Sequence, residues 1–215
     1  MANQRVSQSF RLLVLAAGAV ALLACSDKKD GDKKASASDS DAAAQMKSAA
    51  SSSSSSAAFE SALENTIPAN PAALFDPLAV ELGVQLIPHS NGMIHGIRFY
   101  QATGGNENYR VSLWDSNGSL LASAVVKPSQ EVPGWVTAEI RPPVKVIAGE
   151  IYTASYNAPH GSYPYEYEGL VKPISAKNFS LLKSVYDYGN GSSLPQSTYR
   201  DTNYFVDVVF KRTGP

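Results

Sequence analysis

The stretch Tyr204-Phe205-Val206-Asp207-Val208-Val209-Phe210-Lys211 decides the fold class. Tyr204, Val206, Val208 and Phe210 take every second position, and a more mixed row falls between them. Side chains alternate across a strand, so this period of two presents one apolar face to a packed layer. The same period recurs back along the chain. Val80, Leu82, Val84 and Leu86 share a face, as do Val111 and Leu113, and Tyr152, Ala154 and Tyr156. Ile97 and Phe99 share another, with Ile94 in the opposite phase and Gly96 between, so a bulge at Gly96 is expected to return Ile94 to the inner side. Asn117-Gly118 is a hairpin signal between Val111–Asp115 and Leu120–Val126. Further strands are read at 135–140, closed by Pro142-Pro143, and more weakly at 181–188. Eight or nine short strands without a long amphipathic helix predict an all-β fold. The expected architecture is an antiparallel two-sheet β-sandwich, jelly-roll or immunoglobulin-like, over residues 71–213.

The N-terminal quarter has another character. Arg5 and Arg11 precede a run of 13 small and apolar residues, Leu12 to Ala24, followed at once by Cys25. Thirteen residues are short of the roughly 20 that a bilayer core requires, and they suit the apolar region of a secretory signal. Cys25 is the only cysteine, so an internal disulfide is excluded. Residues 26–58 hold 20 Ala or Ser among 33, five Lys against five Asp, and no Val, Ile, Leu or aromatic side chain. Such a segment buries too little apolar surface to offset its ordering entropy and is expected to stay disordered. Phe59 and Leu63, four apart, permit one or two helical turns, and Pro68, Pro71 and Pro77 then interrupt any helix. The reading divides the chain into a signal (1–24), a linker (25–70) and the sandwich (71–213).

Charge narrows the partners. The whole chain has a net charge of −1, and residues 59–215 carry 11 Lys and Arg against 14 Asp and Glu. This gives no basic face for nucleic acid. Catalytic signatures are scarce. The histidines are His89, His95 and His160, and neither HExxH, GxSxG nor a cysteine pair occurs. Glu166 and Glu168 are two apart, in a loop where solvated carboxylates are the ordinary reading. Asp187, Asn190, Asp201 and Asn203 offer oxygen ligands for a structural Ca²⁺, although their spacing matches no EF-hand loop. No other cofactor or metal is expected.

The informative signal is aromatic. Nine of the eleven tyrosines lie between residues 152 and 204. The segment 157–180 lacks strand periodicity over a length that usually marks a functional loop. Around it stand Tyr156, His160, Tyr163, Tyr165 and Tyr167, with Trp135 as a further aromatic candidate. Tyrosine combines an apolar ring with a polar tip, which suits sugars that present both C–H faces and hydroxyls. These six residues are the expected ligand-binding set. The competing reading packs the rings over the sandwich edge.

Two resemblances extend this reading. Leu22-Leu23-Ala24-Cys25 resembles the lipobox of bacterial lipoproteins. That implies cleavage before Cys25, a diacylglyceryl group on its sulfur, and retention at the cell envelope, with Ser26 favouring the outer membrane in a Gram-negative host. The stretches VELGVQL (80–86), GIRFYQA (96–102), LWDSNGSLLASA (113–124), GW (134–135), PVKVIAGEIYTASYNAPHG (143–161) and SSLPQSTYRDTNYFVDVVF (192–210) resemble the bacterial domain of unknown function 4082, a family of extracellular β modules. The resemblance implies an accessory or binding module with no established catalytic residue. Many members carry His after the Ser-Tyr pair at 155–156, where this chain has Asn157. Together these features lead to a membrane-anchored, non-catalytic recognition module for glycan or envelope polysaccharide. An envelope protein-interaction or structural module is the alternative, and a hydrolase the third.

Overall fold

Alternating apolar rows must be covered on one side, and here two sheets cover each other. The computed structural model describes residues 57–71, 74–103, 107–191 and 193–214. The lipobox, Cys25 and most of the expected linker lie outside them. Among the described residues twelve strands run in chain order: β1 (Phe59–Glu60), β2 (Leu74–Phe75), β3 (Val80–Pro88), β4 (Gly92–Gln101), β5 (Tyr109–Asp115), β6 (Leu120–Val126), β7 (Gly134–Val146), β8 (Tyr152–Ala158), β9 (Ser162–Tyr163), β10 (Ile174–Ser175), β11 (Phe179–Tyr188) and β12 (Val206–Arg212). One sheet has the order β1-β12-β4-β7 and the other β10-β11-β3-β8-β5-β6, with β2-β9 as a separate pair. Every pairing is antiparallel. The expected two-sheet sandwich is therefore present.

The inward rows are those read from the sequence. Val80, Leu82, Val84 and Leu86 on β3 are buried, as are Val206, Val208 and Phe210 on β12. Aromatic rings join the layers: Phe99 of β4 stacks on Tyr156 of β8 at 4.4 Å, and Phe179 of β11 meets Phe210 of β12 at 5.6 Å. The expected irregularity at Gly96 is found. The β4–β12 register passes from Gly96 to Ile94, leaving His95 as the extra residue, and Ile94, Ile97 and Phe99 are all fully buried.

Residues 59–70, assigned to the linker from sequence, are part of this unit. Phe59 and Glu60 extend the four-stranded sheet by pairing with Lys211 and Phe210. Leu63 is buried, its N–H donates to Asp207 Oδ2 at 2.7 Å, and Trp135 Nε1 donates to the Thr66 carbonyl at 2.8 Å. In place of helical turns, a two-residue strand is followed by a turn over 62–65. Phe59 lies edge-on to His95 at 4.9 Å. Among the described residues no helix is long and apolar enough to cross a membrane.

Candidate functional site

The end of the sandwich where β11 finishes and β12 begins carries the tyrosines. Tyr186 and Tyr188 stand two apart on β11, opposite Leu82 and Val80 of β3. Cross-strand partners share a face, so both rings continue the inward row past the end of the aliphatic core. Tyr204 precedes β12 in the inward phase and is buried. Tyr163 ends β9, which pairs with β2 and so brings the following Asp76 alongside.

Two loops supply the other wall. The segment 166–170 pairs with 200–203: Glu166 and Asn203 exchange N–H···O bonds at 3.0 and 2.8 Å, Glu168 N–H donates to Arg200, and Leu170 N–H to Asp201. This ladder fixes Tyr165 and Tyr167 against Tyr199. The expected long functional loop is thus tied down at several backbone points and contains the short strands β9 and β10.

The result is a cavity of about 190 Å³ walled by Tyr163, Tyr165, Tyr167, Tyr186, Tyr188, Tyr199 and Tyr204, with Asp76 and Thr202. A cavity of roughly 150 Å³ admits benzene, so this space suits one six-membered ring or a group of similar bulk. Neighbouring rings meet at steep angles: Tyr163 and Tyr204 at 82°, Tyr186 and Tyr204 at 67°, Tyr186 and Tyr188 at 84°, Tyr167 and Tyr199 at 70°. Such edge-to-face contacts are the favoured aromatic geometry, and they turn successive ring faces around the cavity. Tyr167, Tyr188 and Tyr199 are 41%, 57% and 50% exposed and form the rim, whereas Tyr163 and Tyr204 lie deep.

Asp76 is the single carboxylate of the lining. Its Oδ1 accepts the Leu78 N–H at 3.1 Å and its Oδ2 accepts the Tyr188 hydroxyl at 2.9 Å. Burial pushes the Tyr163 and Tyr204 phenols well above their ordinary value of 10, so both stay neutral donors. The Tyr188 phenol is raised chiefly by its bond to Asp76. No Lys, Arg, His, Ser or Cys appears among the described lining residues. Larger grooves of about 350 and 470 Å³ flank Phe59 on the four-stranded sheet, but they lack a comparable convergence of aromatic faces.

Of the residues singled out from sequence, Tyr163, Tyr165 and Tyr167 come together here. Tyr156 is 1% exposed and packs in the core between Phe99 and Tyr109, so it is no part of the wall. His160 is exposed on the turn after β8 and does not line the cavity. Trp135 lies elsewhere, packed edge-on against Tyr100 at 5.6 Å with the Arg98 guanidinium 4.7 Å from its ring. Missed from sequence were Asp76, Tyr186, Tyr188, Tyr199, Thr202 and Tyr204. The density of tyrosines over 152–204 carries the signal, but nothing in local spacing joins those beyond 180 to Tyr163, Tyr165 and Tyr167.

Three of the four residues considered as Ca²⁺ ligands have hydrogen-bond partners within the fold. Asp187 accepts the Gln196 N–H and the Ser197 hydroxyl, Asn203 Oδ1 accepts the Phe205 N–H, and the Asn190 carbonyl accepts Arg110 Nη2. Among the described residues no three His, Cys, Asp or Glu side chains converge as a metal site would require.

Gly161 holds the pocket's acidic wall in place. It has φ +59°, and a Cβ there would lie 2.0 Å from the Asp76 carbonyl oxygen. Its own carbonyl accepts the Asp76 N–H at 3.0 Å. Gly161→Ala is expected to displace the 74–78 segment and to cost about 1–3 kcal/mol through backbone strain. Thermal unfolding of the variant beside the parent measures this, and an unchanged midpoint would show the contact to be yielding.

The family described as Domain of unknown function (DUF4082) matches residues 65–206. No curated protein matches the chain.

Proposed function

Because the chain belongs to the DUF4082 family, whose name assigns no activity, we propose from the site itself that it is a non-catalytic recognition module for envelope polysaccharide. One ring-sized sugar unit enters the tyrosine-walled cavity. The observation that carries this reading is the convergence of seven tyrosines from four separate chain segments on one cavity of about 190 Å³. Apolar C–H faces of a sugar pack on the rings, while phenolic hydroxyls and the Asp76 carboxylate receive its hydroxyls. In this reading residues 1–24 export the chain and acyl chains on Cys25 anchor it. Two or more chains give a stable membrane attachment that one would not. Residues 26–56 then hold the domain out from the envelope, with the outer membrane as its seat in a Gram-negative host.

The test is titration of the full chain, in a non-ionic detergent, against a panel of bacterial polysaccharides by calorimetry. Tyr188→Ala and Tyr199→Ala alter exposed rim positions and leave the core intact. Each is expected to weaken binding about ten-fold through the lost ring contact. Absence of binding tighter than millimolar, or variants that bind like the parent, would overturn the reading.

A second reading, docking of an envelope protein, is favoured by one other feature. Strand β6 is a sheet edge with Leu120, Leu121 and Val125 exposed. An apolar edge of this kind can accept an added strand.

A further inference from the structure

Resting on the recognition reading above, we infer that the group received by the tyrosine cavity carries a positive charge on an alkyl-substituted nitrogen. Its chemical class is the alkylammonium ion, as in an amino sugar or a choline-type substituent.

The shape of the wall is the first reason. A neutral pyranose stacks well on one flat ring or two coplanar ones. Here Tyr163, Tyr204, Tyr186 and Tyr188 follow one another edge-to-face at 82°, 67° and 84°. Their planes therefore differ steeply in direction and form no flat stacking platform. Each face carries the negative part of the ring quadrupole, so a cation at the centre is attracted by several rings together.

The charge of the wall is the second reason. Among the described lining residues Asp76 is the only ionisable group besides the phenols. It receives two neutral donors, the Leu78 N–H and the Tyr188 hydroxyl. The ion pairs among the described residues are Arg141–Glu139 and Arg200–Glu168, so among those residues no side-chain cation pairs with Asp76. The cavity is therefore negative as well as aromatic. A neutral sugar leaves that charge uncompensated, and an ammonium group neutralises it beside the rings.

The third reason is a cation already bound to this cluster. The Arg200 guanidinium lies 4.2 Å from the centre of the Tyr167 ring. Arg200 is not part of the lining, and Glu168 stands 4.0 Å from it to offset its charge. The pairing shows a ring of this assembly acting as a cation acceptor while the cavity itself stays free of basic side chains.

The experiment compares ligands that differ in charge but little in shape. The full chain in a non-ionic detergent is titrated with choline against 3,3-dimethylbutan-1-ol, and with glucosamine against glucose, by calorimetry and tyrosine fluorescence. At least one cation is expected to bind about ten-fold or more tightly than its neutral counterpart. Which pair shows the preference distinguishes a choline-type source from an amino sugar. Asp76→Asn keeps an acceptor for the Leu78 N–H and is expected to shrink the preference to the part the rings supply while sparing the neutral ligand. Tyr188→Ala is expected to weaken both, and Tyr156→Phe, in the core, neither. Neutral ligands binding as well as cations would overturn the charge assignment and leave the recognition reading standing. No response to any ligand, with Tyr188→Ala indistinguishable from the parent, would overturn both.

Discussion

Replacing Phe99 by alanine is expected to cost about 3–5 kcal/mol, a large fraction of the roughly 5–15 kcal/mol that holds a typical domain folded. Phe99 is fully buried at the joint between the sheets. It stands on β4 of the four-stranded sheet, and its ring stacks on Tyr156 at 4.4 Å and meets Tyr109 at 4.8 Å, both from the six-stranded sheet. Sheet backbones cannot collapse into the space a missing ring leaves, because each is tied by ladders to neighbours on both sides. The lost burial therefore adds to an unfilled cavity. Phe99→Leu keeps most of the volume and is expected to recover most of the loss. Urea unfolding reads the effect as a lower midpoint at unchanged slope. A loss under about 1 kcal/mol would mean that the two layers are not locked through this residue.

The same residue shows what a sequence of this kind makes legible. Ile97 and Phe99 declare an inward row by spacing alone, and Gly96 announces the phase change that brings Ile94 into it. These readings hold because burial repeats at every second position and one face wins throughout the strand. The pocket has no such periodicity. Tyr186 and Tyr204 are eighteen positions apart, and Tyr167 meets Tyr199 only through the backbone pairing of 166–170 with 200–203. Long-range pairing, not local spacing, decides which tyrosines share a wall. Tyr156 was legible but was read with the wrong neighbours. It alternates with Tyr152 and Ala154 on β8, and that phase points it into the core, whereas the tyrosines beyond residue 160 follow loop geometry. Residues 59–70 escape the sequence reading because a two-residue strand and one buried leucine leave almost no pattern. Their place depends on Asp207, a buried carboxylate in the outward phase of β12 whose oxygen takes the Leu63 N–H.

Glu81 likewise falls in the outward phase, and its burial leads to the second large expected effect: stability that declines as pH rises from about 4.5 to about 7. The outer face of β3 is roofed at this point. Ser155 donates to Glu81 Oε1 at 2.5 Å, and Trp114 Nε1 donates to Ser155 at 2.9 Å. Asn157 Nδ2 donates to the Gly189 carbonyl at 3.1 Å, and Arg110 Nη2 to the carbonyls of Asn190 and Gly191. These bonds draw residues 189–191 down over the carboxyl so closely that a Cβ on Gly191 would lie 1.9 Å from Glu81 Oε2. Burial raises the Glu81 carboxyl from 4.5 to about 7, against the opposing pull of the Ser155 bond and the Arg110 charge. Below pH 4.5 the folded and unfolded chains both hold this proton, and the full contribution is present. Between 4.5 and 7 only the folded chain keeps it, so the unfolded state binds fewer protons and stability falls with rising pH. Above about 7 both are ionised and the loss is complete, at about 3 kcal/mol for a shift of this size. Asp207, also raised by burial, contributes with the same sign in parent and variant and cancels in their difference. Glu81→Gln removes the titration. Unfolding free energies measured from pH 4 to pH 8 are expected to converge on the parent's in acid and to exceed them progressively above pH 5, apart from a constant offset. Two parallel curves would mean that the carboxyl meets water and that residues 189–191 do not close over it.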